Sequence, residues 1–266
     1  MARIVWIASY PRSGNTWMRF LLANLLYGPV SSSAHLQELV PDIHRGLLGA
    51  QIYGARKTLI KTHWRFTPDL PLREDTMGAI VILRHPIDVL LSNLNYVILR
   101  SDFAAELRDE KTLLAFERRW IDDYIAAGGY GRWREMGFGT WEENIRSWSE
   151  ATLPYPRVIL RFEAMRDDIK GAMATVCRFL GIETNEGALQ AAIDRSSFAA
   201  LRALEEQEIA ERRPGIFFDP GQSANATLGA RFVSGSNRNP MSPAQRDRAL
   251  QRFGAMMEKL GYMATP

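Results

Sequence analysis

The stretch that decides the fold is Arg3-Ile4-Val5-Trp6-Ile7-Ala8, followed after one residue by Tyr10-Pro11-Arg12-Ser13-Gly14-Asn15-Thr16-Trp17. Its first part is dense in aliphatic residues, which is typical of a buried strand. Its second part sets one glycine among hydroxyl and amide side chains, as tight loops do. Apolar residues then recur at three- and four-residue spacing, which predicts a helix over Thr16 to Leu26. The stretch therefore predicts a strand, a tight loop and the N-terminus of a helix.

Three more short apolar stretches predict buried strands, at Thr58 to Lys61, Ala79 to Leu83 and Arg157 to Arg161. A helix over Pro86 to Ile98 follows the third stretch, because proline suits a first helical position and apolar residues recur behind it. Strands that alternate with helices favour parallel pairing through right-handed crossovers. We therefore expect an α/β fold with a central parallel sheet flanked by helices.

The later part of the chain has mainly helical patterns. Asp167 or Asp168 caps a predicted helix that reaches Leu180, with Gly181 as its terminator. Ser242-Pro243 begins another predicted helix, which ends at Gly261. Between these helices the stretch 212–241 is rich in Gly, Pro, Ser and Asn, which predicts a mobile cap loop. Because no linker divides the pattern, we expect a single domain over 1–266.

The composition restricts the class of protein. With 46% hydrophobic and 24% charged residues, the 266-residue chain suits a folded domain. A net charge of +3 gives little support for a broad nucleic-acid surface, so we expect no nucleic-acid partner. Cys177 is the only cysteine, which excludes an internal disulfide and agrees with a reducing compartment. Without a signal-peptide pattern or an apolar run near the ~18 residues of a membrane span, we expect a cytoplasmic protein.

The loop after the first strand has the features of an anion site. A helix N-terminus presents free N–H groups and the positive end of the helix dipole, and Arg12 adds a full charge. Trp17 offers a flat face for a base. An ordinary strand-to-helix turn capped by Ser13 or Thr16 is the alternative interpretation. The loop lacks the second glycine and the lysine of a Walker A sequence, which disfavours nucleotide triphosphate hydrolysis.

Two other strand ends carry polar residues, and ligands of such sheets bind at the carboxyl ends of strands. Lys61-Thr62-His63 ends the second strand, where a neutral imidazole of His63 can take a proton and Lys61 can stabilise charge. A purely structural histidine is the alternative. Arg84 ends the third strand, with Ser92 about two turns into the next helix, a pair suited to a second phosphate. An ion pair of Arg84 with Asp88 is the alternative.

Metal and hydrolase chemistry have little support in the sequence. The four histidines form no metal-ligand spacing with each other or with Cys177; they are His35, His44, His63 and His85. No nucleophile elbow of the G-x-S-x-G type is present. We therefore expect no metal cofactor.

Together these segments resemble the sulfotransferases that use 3′-phosphoadenosine 5′-phosphosulfate (PAPS). Tyr10 to Trp17 is similar to the 5′-phosphosulfate loop of that family, with Arg12 where the commoner form has lysine. Lys61-Thr62-His63 is similar to its catalytic Lys-Thr-His, and Arg84 to Ser92 to its 3′-phosphate segment. The stretches 139–148 and 158–165 resemble bacterial members, including those that sulfate glycopeptide antibiotics. The resemblance spans most of the chain.

The resemblance implies a P-loop-NTPase-like sulfotransferase fold and a set of roles. His63 would be the general base, Lys61 would stabilise the sulfuryl group, and Arg12 would bind the 5′-phosphate and the bridging oxygen. Arg84 and Ser92 would bind the 3′-phosphate of the donor. The loop would supply further donors and Trp17 would stack on adenine; these cofactor-binding positions are Ser13, Gly14, Asn15, Thr16 and Trp17.

Two positions depart from the family pattern. Phe162 stands where many members have a tyrosine near the adenine, so a hydroxyl contact would be lost while the packing face remains. The usual Arg-Lys-Gly loop that closes over the donor is not intact. Arg231 is assigned to that role from its place in the chain, with Arg238 as a further candidate.

The acceptor is the part of the reaction that the sequence does not determine. A small-molecule or natural-product hydroxyl fits the resemblance, and the oligomeric state stays open. The aromatic stretch 100–138 is either an acceptor wall or lid, or ordinary helix packing. The alternative functions are a small-molecule kinase or other nucleotide-dependent phosphotransferase, and a non-catalytic nucleotide-binding module.

Overall fold

The fold centres on a four-stranded parallel sheet. We describe it from a computed structural model, in which residues 4–46, 58–100, 107, 109–149, 153–220, 231–233 and 239–262 are described. The strands are β1 Ile4–Ser9, β2 Thr58–Thr62, β3 Thr76–Leu83 and β4 Arg157–Arg161, in the order β2-β1-β3-β4. Each neighbouring pair is parallel, so the carboxyl ends of the strands lie at one edge of the sheet. The predicted parallel sheet is confirmed.

Helices cover both faces of this sheet. Among the described residues they are α1 Asn15–Leu26, α2 Ser33–Leu39, α3 Pro86–Arg100, α4 Glu110–Ala127, α5 Gly131–Glu135, α6 Trp141–Ser149, α7 Phe162–Asp167, α8 Ile169–Leu180, α9 Glu186–Arg195, α10 Phe198–Ala210 and α11 Pro243–Lys259. Successive side chains of a strand point to opposite faces, so β1 contributes to two cores. Trp6 packs on the face covered by α3, α4, α6 and α11, whereas Ile7 packs on the face covered by α1, α2 and α8.

Strand β4 differs from the prediction of a buried strand. Leu160 is buried, but Ile159 is 42% exposed and Arg161 is exposed. The physical reason is its place at the end of the sheet, where β3 is its one partner among the described strands. An apolar run of this length identifies a strand, but it does not tell an edge strand from a central one.

Helices α8 and α11 follow their local sequence signals. The side chain of Asp168 accepts a hydrogen bond from the Gly171 N–H, and Gly181 ends α8 in the left-handed conformation. Ser242 and Gln245 form a capping box at the start of α11, where Pro243 takes the first helical position.

The predicted cap loop at 212–241 lies only partly within the described residues. Residues 221–230 and 234–238, which include Arg238, are outside them. The mobility of this loop and the single-domain organisation stay predictions. In the described parts of the chain, no helix has both the length and the apolar character needed to cross a membrane.

Candidate active site

A cavity of about 390 Å³ opens at the carboxyl ends of β1, β2 and β3. Most of the predicted site residues line it: Arg12, Gly14, Asn15, Thr16, Trp17, Lys61, His63, Arg84, Ser92 and Phe162. Two predicted residues do not line it. Ser13 is buried away from the cavity, and at the other position Phe232 and Val233 line the cavity in place of Arg231. The segments that follow β1, β2 and β3, which are far apart in sequence, therefore meet at one cavity.

The loop between β1 and α1 has an unusual backbone. Arg12 has a φ of 71° and Gly14 a φ of 101°, both in the left-handed region. Gly14 is the N-cap of α1, and no side chain caps the helix there, so capping by Ser13 or Thr16 is not observed. The first turn of α1 also lacks an acidic residue. Its N–H groups and positive dipole end are consequently left without a side-chain acceptor beside the cavity.

Asn15 fixes this loop to the strand before it. Its Nδ2 donates to the Ile7 carbonyl at 2.8 Å and to the Ser9 hydroxyl at 3.1 Å. Asn15 is 4% exposed, so both bonds are shielded from water. Its side-chain donors are thus used within the protein, and its observed contacts are structural.

Arg12 projects into the cavity beneath the segment 231–233. Its Nε donates to the Ser92 hydroxyl at 3.2 Å and its Nη2 to the Phe232 carbonyl at 2.8 Å. The guanidinium also lies over the ring of Phe232, 4.5 Å from the centroid. Burial lowers the pKa of Arg12 to about 10, which still leaves it cationic at neutral pH.

Arg84 lies next to Arg12. Its Nη1 donates to the Arg12 carbonyl at 3.0 Å, and its guanidinium stacks 4.4 Å from the centre of the Phe162 ring. Its Nε is buried and has no hydrogen-bond partner among the described residues. The ion pair of Arg84 with Asp88, the alternative interpretation, is not observed between these two described residues. A buried cationic donor without a partner is costly unless an anion fills the site.

Three aromatic rings pack together beside the start of α1, and all three line the cavity. Trp17 lies 5.8 Å from Phe162 and 4.9 Å from Phe198, between ring centroids. Its indole Nε1 donates to the Ser196 carbonyl, which fixes the plane of the ring. Phe198, which is 41% exposed and lines the cavity, is not among the site residues that the sequence predicts. No local pattern distinguishes it, because α10 brings it to Trp17 from 181 positions along the chain.

His63 is held in one tautomer. Its Nδ1 lies 2.7 Å from the Ser9 carbonyl oxygen, which can only accept, so Nδ1 carries the hydrogen. Nε2 of the neutral ring therefore holds the lone pair. Burial, with the charge of Lys61 second, keeps the pKa of His63 well below its ordinary value. The ring is neutral at physiological pH, as a general base must be.

His44 is a second histidine at the site that the sequence analysis did not select. Its Nε2 accepts the main-chain N–H of His63 at 2.9 Å, and the two rings stack nearly parallel, with centroids 5.8 Å apart. Burial lowers the pKa of His44 to about 3. Asn144 binds the following peptide group, donating to the His63 carbonyl at 2.7 Å. The main chain at His63 is therefore held from both sides.

Lys61 has an ion-pair partner that the sequence did not predict. Its Nζ lies 2.5 Å from Oδ2 of Asp42, and both side chains are less than a tenth exposed. Burial lowers the pKa of Lys61 to about 8, although Asp42 opposes this. Burial alone would raise the pKa of Asp42, but the charges of Lys61 and Arg19 bring it below its ordinary value. The two residues form a buried ion pair beside His63.

The predicted acceptor stretch 100–138 divides into two parts. Trp133, Met136 and Phe138 line the cavity near His63. Trp120 instead packs against Tyr124 and Tyr130, with ring centroids 5.2 and 5.6 Å apart. Residues 101–106 and 108 lie outside the described residues. One part of the stretch therefore lines the cavity and another part packs within the fold, while its role towards an acceptor stays a prediction.

The chain matches one protein family and several curated relatives. The family is described as the sulfotransferase domain, and the match covers residues 3–261. Sulfotransferase 2B1 of Mus musculus is 25% identical over 236 residues, which are 83% of this chain and 64% of that protein. Cytosolic sulfotransferase 14 of Arabidopsis thaliana is 28% identical over 228 residues, which are 76% of this chain and 61% of that protein. The chain thus spans less than two thirds of the length of these two relatives.

Solved structures with the same fold extend the comparison. Mouse sulfotransferase SULT7A1 complexed with PAP has a TM-score of 0.60 at 18% identity, over 96% of this chain and 84% of that chain. Retinol dehydratase in a complex with retinol and PAP has a TM-score of 0.55 at 16% identity, over 97% and 82% of the respective chains. At such identities the likeness shows the fold, and it confirms the predicted fold class.

Proposed function

The chain belongs to the sulfotransferase domain family, and from that premise we propose that it transfers the sulfuryl group of PAPS to the hydroxyl of a small-molecule acceptor. His63 is the proposed general base. The observation that carries the proposal is the fixed tautomer of His63 in the cavity that Arg12 and Arg84 also line. A neutral imidazole with its lone pair at Nε2, beside two cationic guanidinium groups, suits proton removal next to a polyanionic donor.

The donor would occupy the half of the cavity next to α1. The uncapped N-terminus of α1 and the Arg12 guanidinium suit the 5′-phosphosulfate. The unpartnered Nε of Arg84, with Ser92 nearby, suits the 3′-phosphate. The rings of Trp17, Phe162 and Phe198 line this half of the cavity and offer aromatic surface on which adenine can pack. Two of the solved structures with this fold are complexes with PAP, and we extend that ligand to this chain as part of the proposal.

His63 would act through Nε2 during transfer. The acceptor oxygen forms a bond to sulfur, the bond from sulfur to the bridging oxygen of the 5′-phosphate breaks, and the acceptor proton passes to Nε2. The Ser9 carbonyl keeps the hydrogen on Nδ1 and stabilises the imidazolium that results. Arg12 and the N–H groups of α1 stabilise the charge that develops on the departing phosphate. The products are a sulfate ester and adenosine 3′,5′-bisphosphate (PAP).

The acceptor would approach from the side of Phe138. This side of the cavity is aromatic and apolar, with Trp133 and Met136 as further walls. Such walls favour a hydroxyl carried on an apolar or aromatic body. The complexes of retinol dehydratase with retinol and with androsterone are examples of apolar ligands bound to this fold. We propose a small-molecule acceptor on this basis, in a protein whose cytoplasmic location stays a prediction.

The segment 231–233 would cover the donor. Phe232 donates its main-chain N–H to Glu205, and Asn95 donates to the Arg231 carbonyl, so the segment is tied down at two points. Phe232 and Val233 line the cavity, and the ring of Phe232 lies over the Arg12 guanidinium. In this proposal Arg231 belongs to the covering segment, and its main-chain carbonyl helps to hold the segment in place through Asn95.

The decisive experiment replaces His63 with glutamine. We expect kcat to fall roughly 10²- to 10⁴-fold, because a general base of this kind contributes that much. Binding of PAP, measured by isothermal titration calorimetry, should change little. His35→Gln is the matched control, since His35 binds Ser31 at the protein surface and does not line the cavity. A variant of His63 with near wild-type kcat would remove this residue from the mechanism.

A further inference from the structure

The buried carboxylate of Asp42 contacts two parts of the proposed catalytic apparatus. One oxygen, Oδ2, binds the ammonium of Lys61 at 2.5 Å. The other, Oδ1, accepts the main-chain N–H of His44 at 3.0 Å and caps the short helical turn Ile43–Arg45. Asp42 is 6% exposed, so water does not weaken either contact. A single side chain thus joins the lysine at the end of β2 to the turn that carries His44.

The main chain makes this arrangement rigid. Asp42 pairs with Lys61 in an isolated parallel bridge, and the Lys61 N–H donates to the Pro41 carbonyl at 2.8 Å. The segment before the turn is therefore fixed against the edge of β2. His44 in turn accepts the main-chain N–H of His63 at 2.9 Å. A continuous chain of contacts runs from Lys61 through Asp42 and His44 to His63.

We infer that Asp42 is a positioning residue for sulfuryl transfer, which keeps Lys61 charged beside His63 and fixes the turn through which His44 holds the main chain of His63. The inference rests on the proposed function and adds to it a role for Lys61, which lines the same cavity as His63, as a cation at the transferring group. Asp42 itself does not touch the reacting atoms in this assignment. It acts through Lys61 and His44.

The electrostatics around Lys61 explain why a carboxylate is needed. The charged and titratable groups that act on Lys61 and its surroundings are Asp42, Arg19, Arg45, His44 and His63. Asp42 is the only anion in this set; the two arginines are cations and the two histidines are neutral. A buried ammonium among cations loses its proton readily. With Asp42 present, the pKa of Lys61 is about 8, so most of the population is charged at neutral pH.

Lysine titration in the donor-free protein tests the charge directly. The chain has five lysines, Lys57, Lys61, Lys111, Lys170 and Lys259, so ¹³C labelling at the lysine ε-carbon gives a simple NMR spectrum, with K61R assigning the signal of interest. We expect the pKa of Lys61 to fall by at least about one unit in Asp42→Asn, because the neutral amide cannot stabilise the ammonium. An unchanged titration of Lys61 would overturn the inference.

The pH profile of kcat/KM tests the link to turnover. This profile reports groups of the free enzyme, so loss of the Lys61 proton should set an alkaline limb near pH 8. We expect Asp42→Asn to move the limb to lower pH by at least about one unit. Lys61→Arg, alone or combined with Asp42→Asn, should remove the limb from this range, because a guanidinium keeps its charge. The same limb in all variants would contradict the inference.

Two controls separate a local effect from a general one. Asp122→Asn removes a carboxylate that also pairs with a cation, Arg248 at 2.5 Å, but lies at the protein surface. This variant should leave the profile unchanged. Lys61→Arg keeps a positive charge opposite Asp42. If Asp42→Asn does not fold, this variant still tests whether the alkaline limb arises from Lys61. Absence of PAPS turnover in the wild-type protein would overturn the proposed function, whereas an unshifted Lys61 in an active protein would overturn this inference alone.

Discussion

Arg84 has a hydrogen-bond donor at the cavity that no described residue fills. Its Nη1 is committed to the Arg12 carbonyl, while its Nε is buried without a partner among the described residues. Burial lowers the pKa of Arg84, and Asp88 and Glu163 oppose this shift. A planar cation in this state suits a phosphate, which can accept several N–H groups at once. The proposed role in binding the 3′-phosphate therefore makes a selective prediction.

Arg84→Met should weaken PAP binding by roughly 10- to 100-fold, because hydrogen bonds to charged groups contribute ~1.5–3 kcal/mol. Adenosine 5′-phosphosulfate, which lacks the 3′-phosphate, should lose much less affinity. Calorimetric titration of both ligands measures the difference. Arg166→Met is the control, since Arg166 is exposed and pairs with Asp167. Equal losses for both ligands would mean that Arg84 supports the loop through Arg12 and does not read the 3′-phosphate.

At the scale of elements, the loop between β1 and α1 depends on one glycine. Gly14 has a φ of 101°, and a Cβ there would lie 2.5 Å from Cδ2 of Phe162. The Phe162 ring cannot move aside freely, because Trp17 packs against it and Arg84 stacks on it. Backbone conformation and ring packing thus both require a residue without a side chain.

Gly14→Ala should lower the free energy of unfolding by roughly 1–3 kcal/mol and weaken PAP binding, through backbone strain and displacement of Phe162. Urea denaturation and calorimetry measure the two effects. Gly254→Ala is the matched control, because Gly254 lies inside α11 and a Cβ added there would meet open space. That substitution should instead stabilise the protein by about 0.5–1 kcal/mol, as alanine favours helix. A Gly14 variant with unchanged stability would show that the loop tolerates a side chain.

At the scale of the whole molecule, two buried neutral histidines connect the site to the stability of the protein. The pKa of His44 is about 3 and that of His63 lies well below its ordinary value, both mainly through burial. In the unfolded chain these histidines take up protons near pH 6.5. Below that pH the unfolded state binds more protons than the folded state. Their contribution to stability is therefore complete above about pH 6.5 and is lost as the pH falls toward the folded-state values.

We expect the free energy of unfolding to fall between pH 7 and pH 5, by roughly 1.4 kcal/mol per histidine for each unit below 6.5. Urea denaturation at several pH values measures this slope. His44→Gln should reduce the number of protons taken up on unfolding by about one, and the slope of the free energy against pH with it, since one of the two histidines is then absent. Stability that is constant or rises on acidification over this range would contradict the assignment of two neutral buried histidines.

Short stretches of the chain were enough to predict the local features. Apolar runs marked all four strands, Asp168 and Gly181 bounded α8, and Ser242-Pro243 began α11. The loop from Tyr10 to Trp17 and the strand ends at His63 and Arg84 were also identified from their neighbours in the chain. These signals are local because a cap, a turn or an apolar period is formed by residues a few positions apart.

Only the tertiary structure decided which side chains act on one another across the site. Lys61 and Asp42 are 19 positions apart, and Trp17 donates to a carbonyl 179 positions away. No short pattern encodes these pairs, nor the place of β4 at the sheet edge. The strand ends meet because the sheet is parallel, and Lys61 pairs with Asp42 because an unpaired buried charge is costly.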